Sequence, residues 1–138
     1  MKAQQVEEQK YGFSRVFDVP FDEAVAKVRE ALGLEGFGIL SEIRIDEKLK
    51  EKLGVDFRRY VILGACNPPL AYKTLQEEIN IGLLLPCNVI VYEADDRGRS
   101  VVAAVNAKAM LSVVGEDAVL NDVASEVNQR LHRAVEQV

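Results

Sequence analysis

Cys87-Asn88-Val89-Ile90-Val91-Tyr92-Glu93-Ala94-Asp95-Asp96-Arg97-Gly98-Arg99-Ser100-Val101-Val102-Ala103-Ala104-Val105 reads as two strands around a turn. Side chains alternate across a strand, so Cys87, Val89 and Val91 share one face while Asn88, Ile90 and Tyr92 share the other. Ala94 to Gly98 is rich in residues that tolerate special backbone angles, which predicts a hairpin. Downstream, a short helix over Ala107 to Val114 ends at Gly115. The last segment then places Val119, Val123, Val127, Leu131, Ala134 and Val138 on one stripe, with Leu120, Ala124 and Val135 beside it. Its acids, Glu116, Asp117 and Asp122, come early and its bases, Arg130, His132 and Arg133, late, as the helix dipole favours. A helix of about 20 residues with one apolar stripe must lay that stripe on the sheet.

Upstream the same two periods alternate. Tyr11 to Asp18 predicts a first strand with Phe13 and Phe17 on one face. Pro20 sits where a helix can begin, and Phe21, Ala24, Val25, Val28 and Leu32 recur at three- and four-residue spacing. Gly33 and Gly36 are expected to end that helix. From Phe37 the period becomes two, placing Phe37, Ile39, Ile43 and Ile45 on one strand face and Glu42 and Arg44 on the other. Asp46 to Gly54 reads as a charged helix capped by Asp46 and stopped by Gly54. Tyr60 to Cys66 is a mostly apolar strand, and a helix over Pro68 to Glu78 leads into the apolar run Ile79 to Leu85. With no linker, repeat or low-complexity tract, the expectation is a single α+β domain over residues 1–138.

A chain of 138 residues with 49% hydrophobic and 28% charged residues can bury a sizeable core without disulfide or metal staples. No apolar run approaches the roughly 20 residues that a membrane span requires. The segment Met1 to Glu8 is polar and charged, so the expected location is the cytoplasm and no membrane partner is expected. A net charge of −5 disfavours nucleic acid, whose affinity comes largely from neutralised phosphates. The basic residues Lys48, Lys50, Lys52, Arg58 and Arg59 are interleaved with Asp46, Glu47, Glu51 and Asp56, the pattern of a solvated face.

The two cysteines occur in similar settings, Ala65-Cys66-Asn67-Pro68-Pro69 and Leu85-Pro86-Cys87-Asn88. Asn67 is suited to cap a helix whose first position is Pro68, which places Cys66 at a strand exit beside a helix N-terminus. Such a position stabilises a thiolate and increases its nucleophilicity. The plainer reading is that both cysteines are small core residues. Cys66, Asn67, Cys87 and Asn88 are therefore the candidate ligand-binding residues, and Cys66 and Cys87 the candidate catalytic ones. A protein-only zinc site is not expected, because four ligands are needed and the one histidine, His132, lies off the apolar stripe and reads as solvent-facing. No phosphate-binding glycine loop or serine nucleophile elbow is present.

Four blocks carry a resemblance: Gly36-Phe37-Gly38-Ile39-Leu40; Leu53-Gly54-Val55-Asp56-Phe57-Arg58; Leu63-Gly64-Ala65-Cys66-Asn67-Pro68-Pro69; and Ile81-Gly82-Leu83-Leu84-Leu85-Pro86-Cys87-Asn88-Val89. Together with Ala107-Lys108-Ala109-Met110-Leu111, they make the chain resemble the prokaryotic family catalogued as domain of unknown function 302. The resemblance implies an α+β fold similar to one repeat of the TATA-box-binding protein: a curved antiparallel sheet, helices packed on one face, and assembly as a homodimer. It transfers no catalytic residue and no cofactor.

Three functions follow as expectations. The leading one is a small-molecule or thiol-dependent ligand-binding domain, with Cys66, Asn67, Cys87 and Asn88 as polar and soft contacts and Tyr60, Tyr72 and Phe57 as walls. The second is a redox or sulfur-transfer enzyme, with Cys66 as nucleophile at a depressed pKa and Cys87 as resolving thiol. The third is an interaction module whose exposed sheet face or edge builds a homodimer.

Overall fold

A computed structural model describes residues 5–138. Residues 1–4 of the expected domain span and of the polar N-terminal segment lie outside the described residues.

The chain enters through β1 (Glu7–Glu8), a two-residue edge strand with no pattern to announce it, and continues into β2 (Gly12–Phe17). Pro20 is the residue preceding α1 (Phe21–Leu34), whose first turn carries Asp22 and Glu23. Gly33 lies inside this helix; the chain leaves it at Gly36, with φ +84°. There the Gly36 N–H donates to the Gly33 carbonyl and the Phe37 N–H to that of Leu32, a paired closure that satisfies two orphan carbonyls. Phe37 and Leu32 are both buried, supplying the apolar contact that accompanies such an ending.

The next strand, β3 (Gly38–Arg44), departs from strict alternation. Ile39 pairs with Ala65 and Ser41 with Gly64, so Leu40 is an extra residue in the ladder. One inserted residue exchanges the two faces. Ile43 consequently pairs with Ile62 rather than sharing the face of Ile39 and Phe37, while Arg44 pairs with Val61. Arg44 lies over the Phe21 ring, 5.0 Å from its centroid. The following helix, α2 (Ile45–Leu53), begins one residue earlier than expected and ends at Gly54, with φ +70°. Asp46 does not cap it. Its carboxylate accepts hydrogen bonds from Arg44 and from the Tyr60 backbone N–H, tying α2 to the start of the next strand.

β4 (Tyr60–Cys66), α3 (Pro68–Glu77) and β5 (Cys87–Glu93) match the sequence reading, and the apolar run between them forms a 3₁₀ helix over Ile79–Leu84. β6 (Ser100–Val105) returns from the hairpin, whose turn closes with Ala94 N–H on the Arg99 carbonyl. α4 (Ala107–Leu111) runs into a 3₁₀ turn at Ser112–Val114, and α5 (Ala118–Gln137) completes the chain. Asn128 of α5 donates to Asn106 Oδ1 and accepts from the Ala107 N–H, which fixes α4 against α5. His132 is half-buried rather than solvent-facing: its ring packs 5.1 Å from that of Phe13, and Nδ1 meets Glu136.

The sheet runs in the order β1-β2-β6-β5-β4-β3, and every neighbouring pair is antiparallel. Helices pack on one face, where the rows Leu63–Val89–Ala104–Phe13 and Val61–Val91–Val102 are buried. Against them lie Ala24, Val28, Ala31 and Leu32 of α1 and Val123, Val127, Leu131 and Val135 of α5. Each fully buried Leu or Val contributes about 1.5–3 kcal/mol relative to exposure, so this shared core, rather than any one helix, carries the fold. The opposite sheet face also carries apolar side chains, among them Tyr60, Ile62, Ile90, Tyr92, Val101 and Ala103. Among the described residues, no helix is long and apolar enough to cross a membrane.

Candidate functional site

The ends of β4 and β5 lie side by side, with Ala65 registered opposite Cys87. Cys66, the last residue of β4, is therefore a near neighbour of Cys87 across the ladder. Asn67 follows, and its Oδ1 accepts from the Leu70 N–H at 3.2 Å, as expected of an N-cap. Pro86 delivers the chain into β5, and Gly64 makes room for it: a Cβ at Gly64 would stand 2.7 Å from Pro86 Cγ and overlap the Ser41 hydroxyl.

These segments frame a cavity of about 270 Å³ at the end of the sheet. The strand ends contribute Ala65, Cys66 and Cys87, and α3 contributes Leu70, Ala71, Thr74 and Leu75. Met110 and Leu111 of α4 and Val123 and Val127 of α5 close the far wall. Phe37, Leu40, Leu85 and Pro86 complete it, and Leu40, two-thirds exposed, marks the open side. The wall is almost wholly hydrocarbon and sulfur. Thr74 directs its hydroxyl to the Ala71 carbonyl at 2.7 Å, so its polarity is consumed within α3. Asn67 has its oxygen engaged in the cap, while its Nδ2 makes no hydrogen bond among the described residues.

The start of α3 does not activate Cys66. Burial pushes the Cys66 thiol above its ordinary value, and pushes Cys87 up to about 11, with the neighbouring Cys66 adding to the effect. The reason is local. Pro68 and Pro69 have no N–H, and the next donor, Leu70, is already held by Asn67, so α3 offers few free donors to a thiolate. Both cysteines are unpaired thiols, Cys87 buried and Cys66 partly exposed. Among the described residues, no three His, Cys, Asp or Glu side chains gather as metal ligands.

Of the four expected site residues, three meet in the cavity: Cys66, Asn67 and Cys87. Asn88 does not. Alternation sends it to the opposite sheet face, where it borders a shallow hollow with Tyr11 and Ile90. The expected aromatic walls are also elsewhere. Tyr60 begins β4, at the far end from Cys66, and stacks on Tyr92 at 5.3 Å with Phe57 beside it. Tyr72 stands two residues after Leu70, hence on the outer side of α3, and is 64% exposed. The walls that sequence reasoning missed, Leu75, Met110 and Val127, come from three separate helices. Val127 stood on the apolar stripe of the last helix and Met110 within a block that carries the family resemblance, while Leu75 had no signal of its own.

No curated protein matches the chain. A crystal structure of an uncharacterized conserved protein, DUF302, from Bacillus stearothermophilus is 31% identical, covering 91% of this chain and 96% of its own, with a TM-score of 0.81. The family model for the domain of unknown function DUF302 matches residues 13–138. With a match over nearly the whole length, the chain belongs to the DUF302 family.

Proposed function

We propose that this protein is a binding domain for a small, largely apolar molecule held in the cavity between the strand ends and α3, α4 and α5. The observation that carries the reading is the cavity itself: about 270 Å³ of hydrocarbon-lined space, open on one side and lined by both cysteines. A dry cavity of about 150 Å³ lined by aliphatic and aromatic groups takes up benzene, so this one suits a bicyclic ring or a chain of about eight to ten carbons. The neutral thiols supply soft, polarisable contact. The same raised thiol pKa values weigh against Cys66 as the nucleophile of a redox or sulfur-transfer enzyme, since the thiolate is the reactive form. Two unpaired thiols also fit a reducing compartment, and we assign the protein to the cytoplasm on that ground.

Calorimetric titration with 1-decanol tests the reading. Binding is expected with a negative heat-capacity change, the mark of apolar burial. Ala71→Phe, which fills the cavity from a half-buried wall position, should abolish it while leaving the circular dichroism unchanged. Absence of binding to the wild type, or undiminished binding to the filled variant, would overturn it.

A second observation supports assembly as a homodimer. The sheet face away from the helices carries Ile62, Ile90, Tyr92 and Val101 in adjoining strands, where an antiparallel sheet facing water would place polar residues.

A further inference from the structure

Gly36 is exposed, has φ +84° and directly precedes Phe37, a wall residue of the cavity. A Cβ there would stand 3.0 Å from Asn67 Nδ2 and 3.4 Å from Arg130 Nη1. Two nitrogen donors from distant parts of the chain thus converge on one point. Asn67 belongs to the cavity wall; Arg130 lies one turn beyond Val127, another wall residue. Asn67 Nδ2 makes no hydrogen bond among the described residues. Arg130 uses Nε on Glu126 and one of the two Nη1 protons on the Glu35 carbonyl, so the Nη1 that approaches Gly36 keeps a second proton to donate. Glu35, a buried carboxylate next to Gly36 in the chain, is satisfied by Arg133 at 2.8 Å. Glu126 is 46% exposed, and an exposed pair of this kind is worth little.

From this geometry we infer that the ligand is an amphiphile: a medium-length apolar chain inside the cavity, ending in a carboxylate held at Gly36 by the Asn67 amide and the Arg130 guanidinium. The inference rests on the binding reading above and assigns the head group that the apolar walls leave open. A carboxylate accepts from two donors at once, and a bond from a guanidinium is charge-assisted. Glu126 competes for the same guanidinium and repels an incoming anion, so it sets the affinity from the opposing side. Glycine at position 36 serves twice, because its positive φ disfavours other residues and a Cβ would crowd the two donors that an acceptor oxygen can bond.

The test titrates decanoate and 1-decanol, separately, into the wild type, Arg130→Gln and Glu126→Gln at pH 8. Decanoate should bind the wild type about tenfold tighter than decanol, the contribution of one charge-assisted hydrogen bond. Arg130→Gln should erase that preference with decanol affinity unchanged, and Glu126→Gln should tighten decanoate alone. Should Arg130→Gln fail to fold, Arg130→Lys, expected to keep part of the preference, and Glu126→Gln still decide the matter. Equal binding of both amphiphiles to the wild type, or a parallel loss of both in Arg130→Gln, overturns the head-group assignment while leaving the cavity reading intact. Failure of both to bind the wild type overturns the two together.

Discussion

Cys66 and Cys87 show how little a residue's chemistry follows from its immediate neighbours. A thiol beside a helix N-terminus is ordinarily activated, yet here two prolines and an asparagine cap remove the donors that would activate it. Burial then dominates, and Cys87 is pushed up to about 11 from an ordinary value of 9.0. This has a consequence for stability. As pH rises past 9, the unfolded chain releases the Cys87 proton while the native protein retains it. The native state then binds more protons, so stability falls with pH until the native thiol also ionises. The contribution is fully present below pH 9 and lost towards pH 11, about 2–3 kcal/mol in all. Urea unfolding across pH 8–11 checks this: Cys87→Ala should lose stability less steeply over that interval than the wild type. Equal slopes would show that the Cys87 thiol is not raised.

At the level of elements, Asn67 joins β4 to α3 and performs two separable tasks. Its Oδ1 holds the Leu70 N–H, and its Nδ2 faces Gly36. Asn67→Ala should therefore cost about 1 kcal/mol through the lost cap, read as a lowered urea midpoint. Asn67→Asp keeps the acceptor and should restore most of that stability, while removing the donor. The cap was legible because its determinants, Asn-Pro-Pro after an apolar strand, are local. So were the faces of β5: alternation alone separates Cys87 from Asn88. β3 was not legible in the same way. The extra residue at Leu40 is defined by the partner strand, so the period of Phe37, Ile39 and Ile43 suggested one face where the ladder makes two. Asp46 misled for a related reason: its cap-like position was taken over by Arg44 and the Tyr60 N–H, groups brought to it by folding. The cavity is the extreme case. No periodicity marks a void, and Leu75, Met110 and Val127 reveal their common role only once three helices are docked on the sheet.

On the scale of the whole molecule, the helices cover one sheet face and leave rows of apolar side chains on the other. Tyr60, Tyr92, Val101 and Val16 form one row, and Ile43, Ile62, Ile90 and Ala103 the next. We propose that a second copy covers them, sheet against sheet about a twofold axis, so that each row meets the same patch of its partner. Sedimentation should then give a dimer. Ile90 is half-buried and stands between Ile62 and Ala103 near the middle of the face. Ile90→Lys should yield a monomer with unchanged circular dichroism, because a lysine amine on the open face of a single copy stays in water but would be trapped between two sheets. Electrostatics gives an independent signature. Each copy carries a net charge of −5, so two copies repel, and added salt screens that repulsion. An apolar interface opposed only by net charge should tighten as ionic strength rises, whereas one built on ion pairs should loosen. A monomeric wild type at high protein concentration and high salt would overturn the proposal.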